Sequence, residues 1–324
     1  MKTRLMHIVL LTIVLITANL SNANAEQPDT VNIGIYVTSI HNIDFANREY
    51  DITFWLWMNY KNKKFEFLRY LEIPNAKSHN YEFVNVDSTE GKTSILMKVQ
   101  CVMKDSWRIN RFPFDTQKLW LTIENSQYDA ASLIFAVDTT GGIFDRRIKY
   151  SLAGWKIDSC KISSSTSVYE TTFGVKTATE PRSVYSAFKV RTSISHVAPE
   201  FLFLKMFMGM YVAFVIAYIC FYIDRTSFDS RFSLSVGALF AVIGNKYIVE
   251  ASLPESTSFT LVDSLHGLTL LFIMLTVLAT TISLKLGKGE KKLNPERFDM
   301  IAAQVLLLIY IIGNIYFIMD AKNG

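Results

Sequence analysis

The chain reads as a β-sandwich extracellular domain followed by a four-helix transmembrane bundle in each subunit. Three observations carry that reading. Between Val31 and about Val190, short runs of alternating polarity are separated by turn residues. Beyond Phe201, four apolar stretches are each long enough to cross a bilayer as a helix. The first 25 residues have the make-up of a secretory signal.

In that signal, Lys2 and Arg4 form the charged start, Ile8 to Ile16 the apolar core, and Ala23-Asn24-Ala25 a small-residue cleavage site. The expected division is therefore a signal peptide over 1–25, an exported sandwich over 26–195 and a membrane domain over 196–324. The run Ile52 to Tyr60 shows the strand logic. Ile52, Phe54, Leu56, Met58 and Tyr60 share one face, while Thr53 and Asn59 fall on the other. Similar runs are Asn32 to Ser39, Ser94 to Met103, Lys118 to Glu124, Ser132 to Val137, Trp155 to Ile162, Thr166 to Phe173 and Tyr185 to Thr192. Turns are expected at Asn47, Asn62, Glu90-Gly91, Gly141-Gly142 and the serine run Ser163-Ser164-Ser165.

The four spans are expected at about 201–223, 232–253, 265–286 and 301–319. Arg225 and Arg231 follow the first, and Lys285, Lys288, Lys291, Lys292 and Arg297 follow the third, so both linkers belong in the cytoplasm. The linker Ala251 to His266 has Glu255 and Asp263 but no lysine or arginine, and belongs outside. This describes a multi-pass protein of the cell (inner) membrane, in contact with lipid, with its N-terminal domain extracellular or periplasmic.

Half of the 324 residues are hydrophobic, and the net charge of +4 is spread without a basic run in the first two-thirds, which argues against a nucleic-acid partner. The three cysteines, Cys101, Cys160 and Cys220, permit at most one disulfide and lack metal-ligand spacing. No phosphate loop, metal cluster or nucleophile constellation is visible, so no catalytic residue, metal or cofactor is expected, and an enzyme is disfavoured. His196 and His266, near the domain boundary, read as structural histidines.

The second span is too polar for lipid. Asp229, Ser233, Gly237, Phe240, Gly244, Tyr247 and Ala251 follow steps of four, four, three, four, three and four residues, which makes one helical stripe, and Glu250 closes its outer end beside Ala251. Polar groups in a span face a bundle interior or water, and one helix cannot enclose a pore, so a conducting reading needs a ring of subunits. In a ring Asp229 becomes a circle of carboxylates that attracts inorganic cations, and Phe240 and Tyr247 become constrictions that close by dewetting.

These features resemble the pentameric ligand-gated ion channels, the Cys-loop receptor superfamily. The resemblance rests on Phe112-Pro113-Phe114-Asp115-Thr116-Gln117 between two strands, on Asn32-Ile33-Gly34-Ile35-Tyr36, Phe83-Val84-Asn85-Val86 and Tyr128-Asp129, and on Glu250-Ala251-Ser252-Leu253-Pro254 at the end of the pore helix. Asp105 and Leu119 stand where animal members carry the loop disulfide, and the linker between the third and fourth spans is short, so the chain resembles the prokaryotic branch.

The resemblance implies a homopentameric, cation-selective channel opened by an unidentified small-molecule or ionic agonist. It implies a coupling role for Phe112, Pro113, Phe114, Asp115, Arg191 and Pro254, with Asp115 and Arg191 as an ion pair. It also implies an agonist site between subunits, under the hairpin Gly174 to Val184, with Phe83, Ser126, Tyr128, Tyr169, Phe173 and Tyr185 as candidates. Ser126 replaces the family's usual tryptophan, which removes a π-face for a quaternary ammonium. The competing reading is a non-conducting membrane receptor of the same architecture, sealed at Phe240 and Tyr247.

Overall fold

The computed structural model describes residues 27–89, 91–148, 152–175, 180–224, 226–287 and 294–323. The expected signal peptide lies outside them, as do Glu90 of one expected turn and Arg225, Lys288, Lys291 and Lys292 of the charged linkers.

Nine strands form two facing sheets. They are β1 (Asp29–Asp44), β2 (Glu49–Tyr60), β3 (Leu71–Glu72), β4 (Ala76–Thr89), β5 (Lys92–Lys104), β6 (Thr116–Asn125), β7 (Leu133–Val137), β8 (Trp155–Tyr169) and β9 (Ser183–His196). One sheet has the order β4-β5-β2-β1-β7 and the other β3-β6-β9-β8. All pairings are antiparallel except β1 with β7.

Because the pleat sends alternate side chains to one face, Ile52, Phe54, Leu56 and Met58 of β2 are buried against Leu119, Leu121 and Ile123 of β6 and Phe188, Val190 and Ile194 of β9 in one core. Tyr50, fully buried, crosses between the sheets and donates its hydroxyl to the Trp120 carbonyl at 2.7 Å. Gly34 is required where it stands, since a Cβ there would collide with the Trp57 indole, which donates to Asp138 Oδ2 at 2.8 Å.

Two expectations need correction here. Ser163-Ser164-Ser165 is not a turn. These serines continue β8 and pair with Lys189, Phe188 and Ala187 of β9. Serine is small and can satisfy its own hydroxyl, as Ser164 does by donating to the Phe135 carbonyl at 2.6 Å, so a serine run need not break a strand whose neighbour supplies the apolar side chains. The strand also stops at Tyr169, short of the expected Phe173, which lies in the following turn with φ of 48°.

Four helices follow: α1 (Pro199–Ile219, continued by one 3₁₀ turn, Cys220–Tyr222), α2 (Phe228–Glu250), α3 (Leu261–Gly287) and α4 (Pro295–Asn323). Each is long and apolar enough to span a membrane. Polar contacts tie the bundle where lipid would leave such groups unpaired. Tyr211 of α1 donates to Asn314 of α4 at 3.0 Å, and Thr269 of α3 meets the Tyr310 hydroxyl at 2.9 Å. The Tyr310 ring stacks on Phe214 at 3.7 Å.

Candidate functional site

The second helix has two unlike faces. Arg231, Ser235, Ala238, Val242 and Val249 are buried against the rest of the chain. The stripe Asp229, Ser233, Gly237, Phe240, Gly244, Tyr247 and Ala251 is exposed throughout. At about 100° per residue, this stripe is centred roughly 180° from the buried face. Phe240 is 66% exposed and Tyr247 75%, although both are large aromatic groups on a helix with apolar neighbours. Leu239 is half-buried and packs on the core.

The two charges at the start of this helix are separated by the same rotation. Asp229 is exposed, whereas Arg231 is 3% exposed and turned into the bundle, where Nη1 donates to Asp299 Oδ2 at 3.0 Å and Nε to the Ile223 carbonyl at 2.9 Å. At the other end Lys246 bridges Glu250 at 3.2 Å and Asp263 of α3 at 3.0 Å.

The loop between β5 and β6 lies against the helices. Asp105, at one end of it, accepts the Trp120 N–H at 3.0 Å and the Ser106 N–H at 2.7 Å, so a carboxylate closes this loop where animal relatives would carry a disulfide. Phe112, before a cis Pro113, is buried between Phe45 and His196, with ring centroids 5.9 and 5.3 Å away. Phe114 meets Phe203 of α1 at 5.7 Å and lies under the Lys322 ammonium of α4 at 4.9 Å. Asn110 accepts the Leu261 N–H at 2.8 Å through its carbonyl and the Ser258 hydroxyl at 3.1 Å through Oδ1. Arg48, between β1 and β2, donates to the Glu255 carbonyl at 2.9 Å, and Pro254 beside it is buried. Both contacts grip the linker that leaves the outer end of α2.

The expected ion pair is absent among the described residues. Arg191 lies over the Trp120 ring at 5.5 Å, because the β6–β9 register sets these two residues opposite each other. Asp115, 9% exposed, accepts from Gln117 through Oδ2, and its Oδ1 has no partner among the described residues. Burial pushes its carboxyl up to about 6, against hydrogen bonds that pull it down. Burial has the opposite sign for His196, which is lowered to about 4 while the Gly154 carbonyl opposes the shift.

The agonist candidates fall into separate places. Tyr169, Phe173 and Tyr185 form one aromatic group with centroids 5.5 to 6.3 Å apart. Phe83 lies on the other sheet, edge-on to Trp55 at 5.5 Å and 46% exposed. Tyr128 packs on Phe65 and donates to the Lys64 carbonyl at 3.0 Å, while Ser126 donates to the Tyr70 carbonyl at 3.2 Å.

Glu124 was not singled out in the sequence. Its carboxylate, 3% exposed, takes the Ser167 hydroxyl at 2.5 Å and the Tyr169 hydroxyl at 2.9 Å, directly beneath the aromatic group. Burial first, and then this carboxylate, holds the Tyr169 phenol well above its ordinary range. All three cysteines are free thiols.

No protein-family profile matches the chain. It is 21% identical over 279 residues to a proton-gated ion channel of Gloeobacter violaceus, covering 80% of this chain and 74% of that one. It is also 21% identical over 277 residues to the human gamma-aminobutyric acid receptor subunit rho-3, covering 78% of this chain and 57% of the receptor subunit. Both relatives are pentameric ligand-gated ion channels, and this chain resembles that family. Its β-rich N-terminal domain and its four helices able to span a membrane give it the architecture of a multi-pass membrane protein. Both relatives are ion channels rather than enzymes, and both assemble as pentamers that pass ions.

Proposed function

We propose that five copies of this chain surround a cation-selective pore lined by α2 and opened by a stimulus reaching the sandwich outside the membrane. The observation that carries the reading is the rotation at the start of α2, which leaves Asp229 exposed and withdraws Arg231 to Asp299. Each copy then offers the pore mouth a carboxylate, while the guanidinium two residues on is spent within its own subunit. A ring of carboxylates concentrates cations and repels anions. Residues 26–195 act as the sensor and 196–324 as the membrane domain, with the sensor periplasmic and Phe240 as the main constriction.

Reversal potentials in salt gradients test this. Asp229→Ala should lower cation preference and Asp229→Lys should reverse it. Unchanged preference in both would remove Asp229 from the filter. The two aromatic levels, Phe240 and Tyr247, favour one alternative, a non-conducting receptor, and an ion-flux assay on liposomes separates the two readings.

For the stimulus, Glu124 beneath Tyr169, Phe173 and Tyr185 favours an organic cation, since a buried carboxylate edged by aromatic rings attracts an ammonium and repels an acid. Phe83 and Trp55 of a neighbouring subunit would complete the cleft. Glu124→Gln should raise the half-maximal concentration of an effective amine by at least tenfold. Activation by acid that survives this change would instead point to protons, the stimulus named for the Gloeobacter relative.

A further inference from the structure

The third helix carries a column of buried hydroxyls. Thr269, Thr276 and Thr280 each donate to the carbonyl four residues back, at 2.8, 2.9 and 3.0 Å, the ordinary way such a group is satisfied inside a span. Ser283 continues the column, is fully buried, and has no partner among the described residues. It lines a cavity of about 890 Å³ at the end of the bundle away from the sandwich.

Asp299 lines the same cavity at 5% exposure. Its Oδ2 takes Arg231 at 3.0 Å, while its Oδ1 has no partner among the described residues. The rest of the wall mixes carbon from Phe221, Met300 and Ala303 with the polar side chains of Asp224, Thr226, Arg231 and Glu296. A buried carboxylate oxygen with no donor is costly, and here its side chain forms part of the wall of a cavity large enough to admit a donor.

The chemistry of the occupant follows from these groups. Among the described residues three carboxylates, Asp224, Glu296 and Asp299, line the cavity against one guanidinium, Arg231, so an anion is disfavoured. A metal ion is poorly served, since no group of three or more His, Cys, Asp and Glu among the described residues is arranged to hold one. A primary ammonium offers three donors, enough for Oδ1 and for the serine oxygen with one to spare, and a carbon chain attached to it would cover the apolar wall.

We propose that this cavity binds a primary ammonium carried on an apolar chain, with Asp299 Oδ1 and Ser283 Oγ as its acceptors. The ammonium belongs either to a free alkylamine or to the ethanolamine head group of a lipid. The site is regulatory. Arg231 stands two residues after Asp229, and a cation on Asp299 competes with Arg231 for the same carboxylate, so occupancy reaches the first turn of α2.

The test is binding of hexylammonium to the full-length detergent-solubilised protein, read by saturation-transfer NMR, which requires no ion flux and so fails independently of the channel reading. Ser283→Ala, which removes only a hydroxyl, should weaken binding about fivefold, and Asp299→Asn at least tenfold. Hexanol should bind far more weakly than hexylammonium, and Asp229→Ala should leave hexylammonium binding intact. Vesicles of phosphatidylethanolamine that reduce hexylammonium binding relative to phosphatidylcholine identify the lipid head group as occupant. Equal binding in the two identifies the free amine. The proposal is overturned by unchanged affinity in both Ser283→Ala and Asp299→Asn, by equal binding of hexanol, or by loss of binding in Asp229→Ala, which would place the amine in the pore.

Discussion

At its distal end the bundle is fastened by one buried ion pair, Arg231 with Asp299 at 3.0 Å and side chains 3% and 7% exposed. At the end that meets the sandwich it is held by partly exposed contacts: the Lys246–Asp263 ion pair at 3.0 Å, single hydrogen bonds from Arg48 to Glu255 and from Leu261 to Asn110, and rings in edge or tilted contact such as Phe114 with Phe203. The difference is mechanical. A buried pair has one good geometry and a steep penalty for leaving it, whereas scattered single bonds and ring contacts trade partners at about 1 kcal/mol each. A bundle built this way is stiffer at its distal end than at its outer end, which suits the proposed opening from the sandwich side.

Breaking the distal fastening should have the largest effect. Arg231→Ala leaves Asp299 buried without a partner and should destabilise the protein by about 3–5 kcal/mol. Asp299→Ala should do the same by stranding Arg231. Thermal unfolding of the solubilised protein measures both. The double change Arg231→Met with Asp299→Leu should recover at least half of the loss. Equal destabilisation in single and double variants would show that side-chain volume, and not charge, fastens this end.

The movable part of the comparison is sharpened at Phe240. It stands on the exposed stripe between Gly237 and Gly244, so in the proposed pore its ring narrows the passage and offers water no hydrogen bond. Phe240→Ser should raise resting current about tenfold, equivalent to roughly 1.4 kcal/mol in favour of the open state. Tyr247→Ser should do less, because the tyrosine hydroxyl already holds water. Leu239→Ser, on a residue packed in the core, should lower surface expression instead. Current recorded beside surface labelling separates the three. A leak from Leu239→Ser alone would rotate the pore face by one residue.

These contrasts were unequally visible in the sequence. Period-two alternation located β2 and β5, and the apolar stretches located four helices, because both signals are carried by neighbouring residues. The stripe of α2 was legible for the same reason. Partners brought together by topology left no such mark. Glu124 meets Ser167 and Tyr169 only because β6 and β8 flank β9, and Asp299 looks like an ordinary acidic residue near the start of a helix until Arg231, 68 positions away, is packed beside it. Asp115 was expected to pair with Arg191. The strand register assigns Arg191 to Trp120, and nothing in local composition records a register.

The smallest effect concerns pH at the movable end, where Asp115 and His196 shift in opposite senses. Burial raises Asp115 from an ordinary 3.8 to about 6 and lowers His196 from 6.5 to about 4. Between about pH 4 and 6 the folded chain keeps a proton on Asp115 that the unfolded chain has released, so this group makes stability fall as pH rises. Over about pH 4 to 6.5 the unfolded chain protonates His196 while the folded chain keeps it neutral, so this group makes stability rise with pH. Each contributes about 2 kcal/mol of opposite sign, and the two offset. The intact protein should therefore show little change in unfolding temperature from pH 4 to 6 at this junction. Asp115→Asn keeps the size and the acceptor facing Gln117, and should expose the histidine alone, giving a stability that climbs through this range. His196→Gln should expose the carboxyl alone and give the falling limb. Thermal melts at half-unit intervals of pH measure both slopes. Parallel profiles for the intact protein and both variants would mean that neither group shifts on folding, and the junction would then owe nothing to the burial of charge.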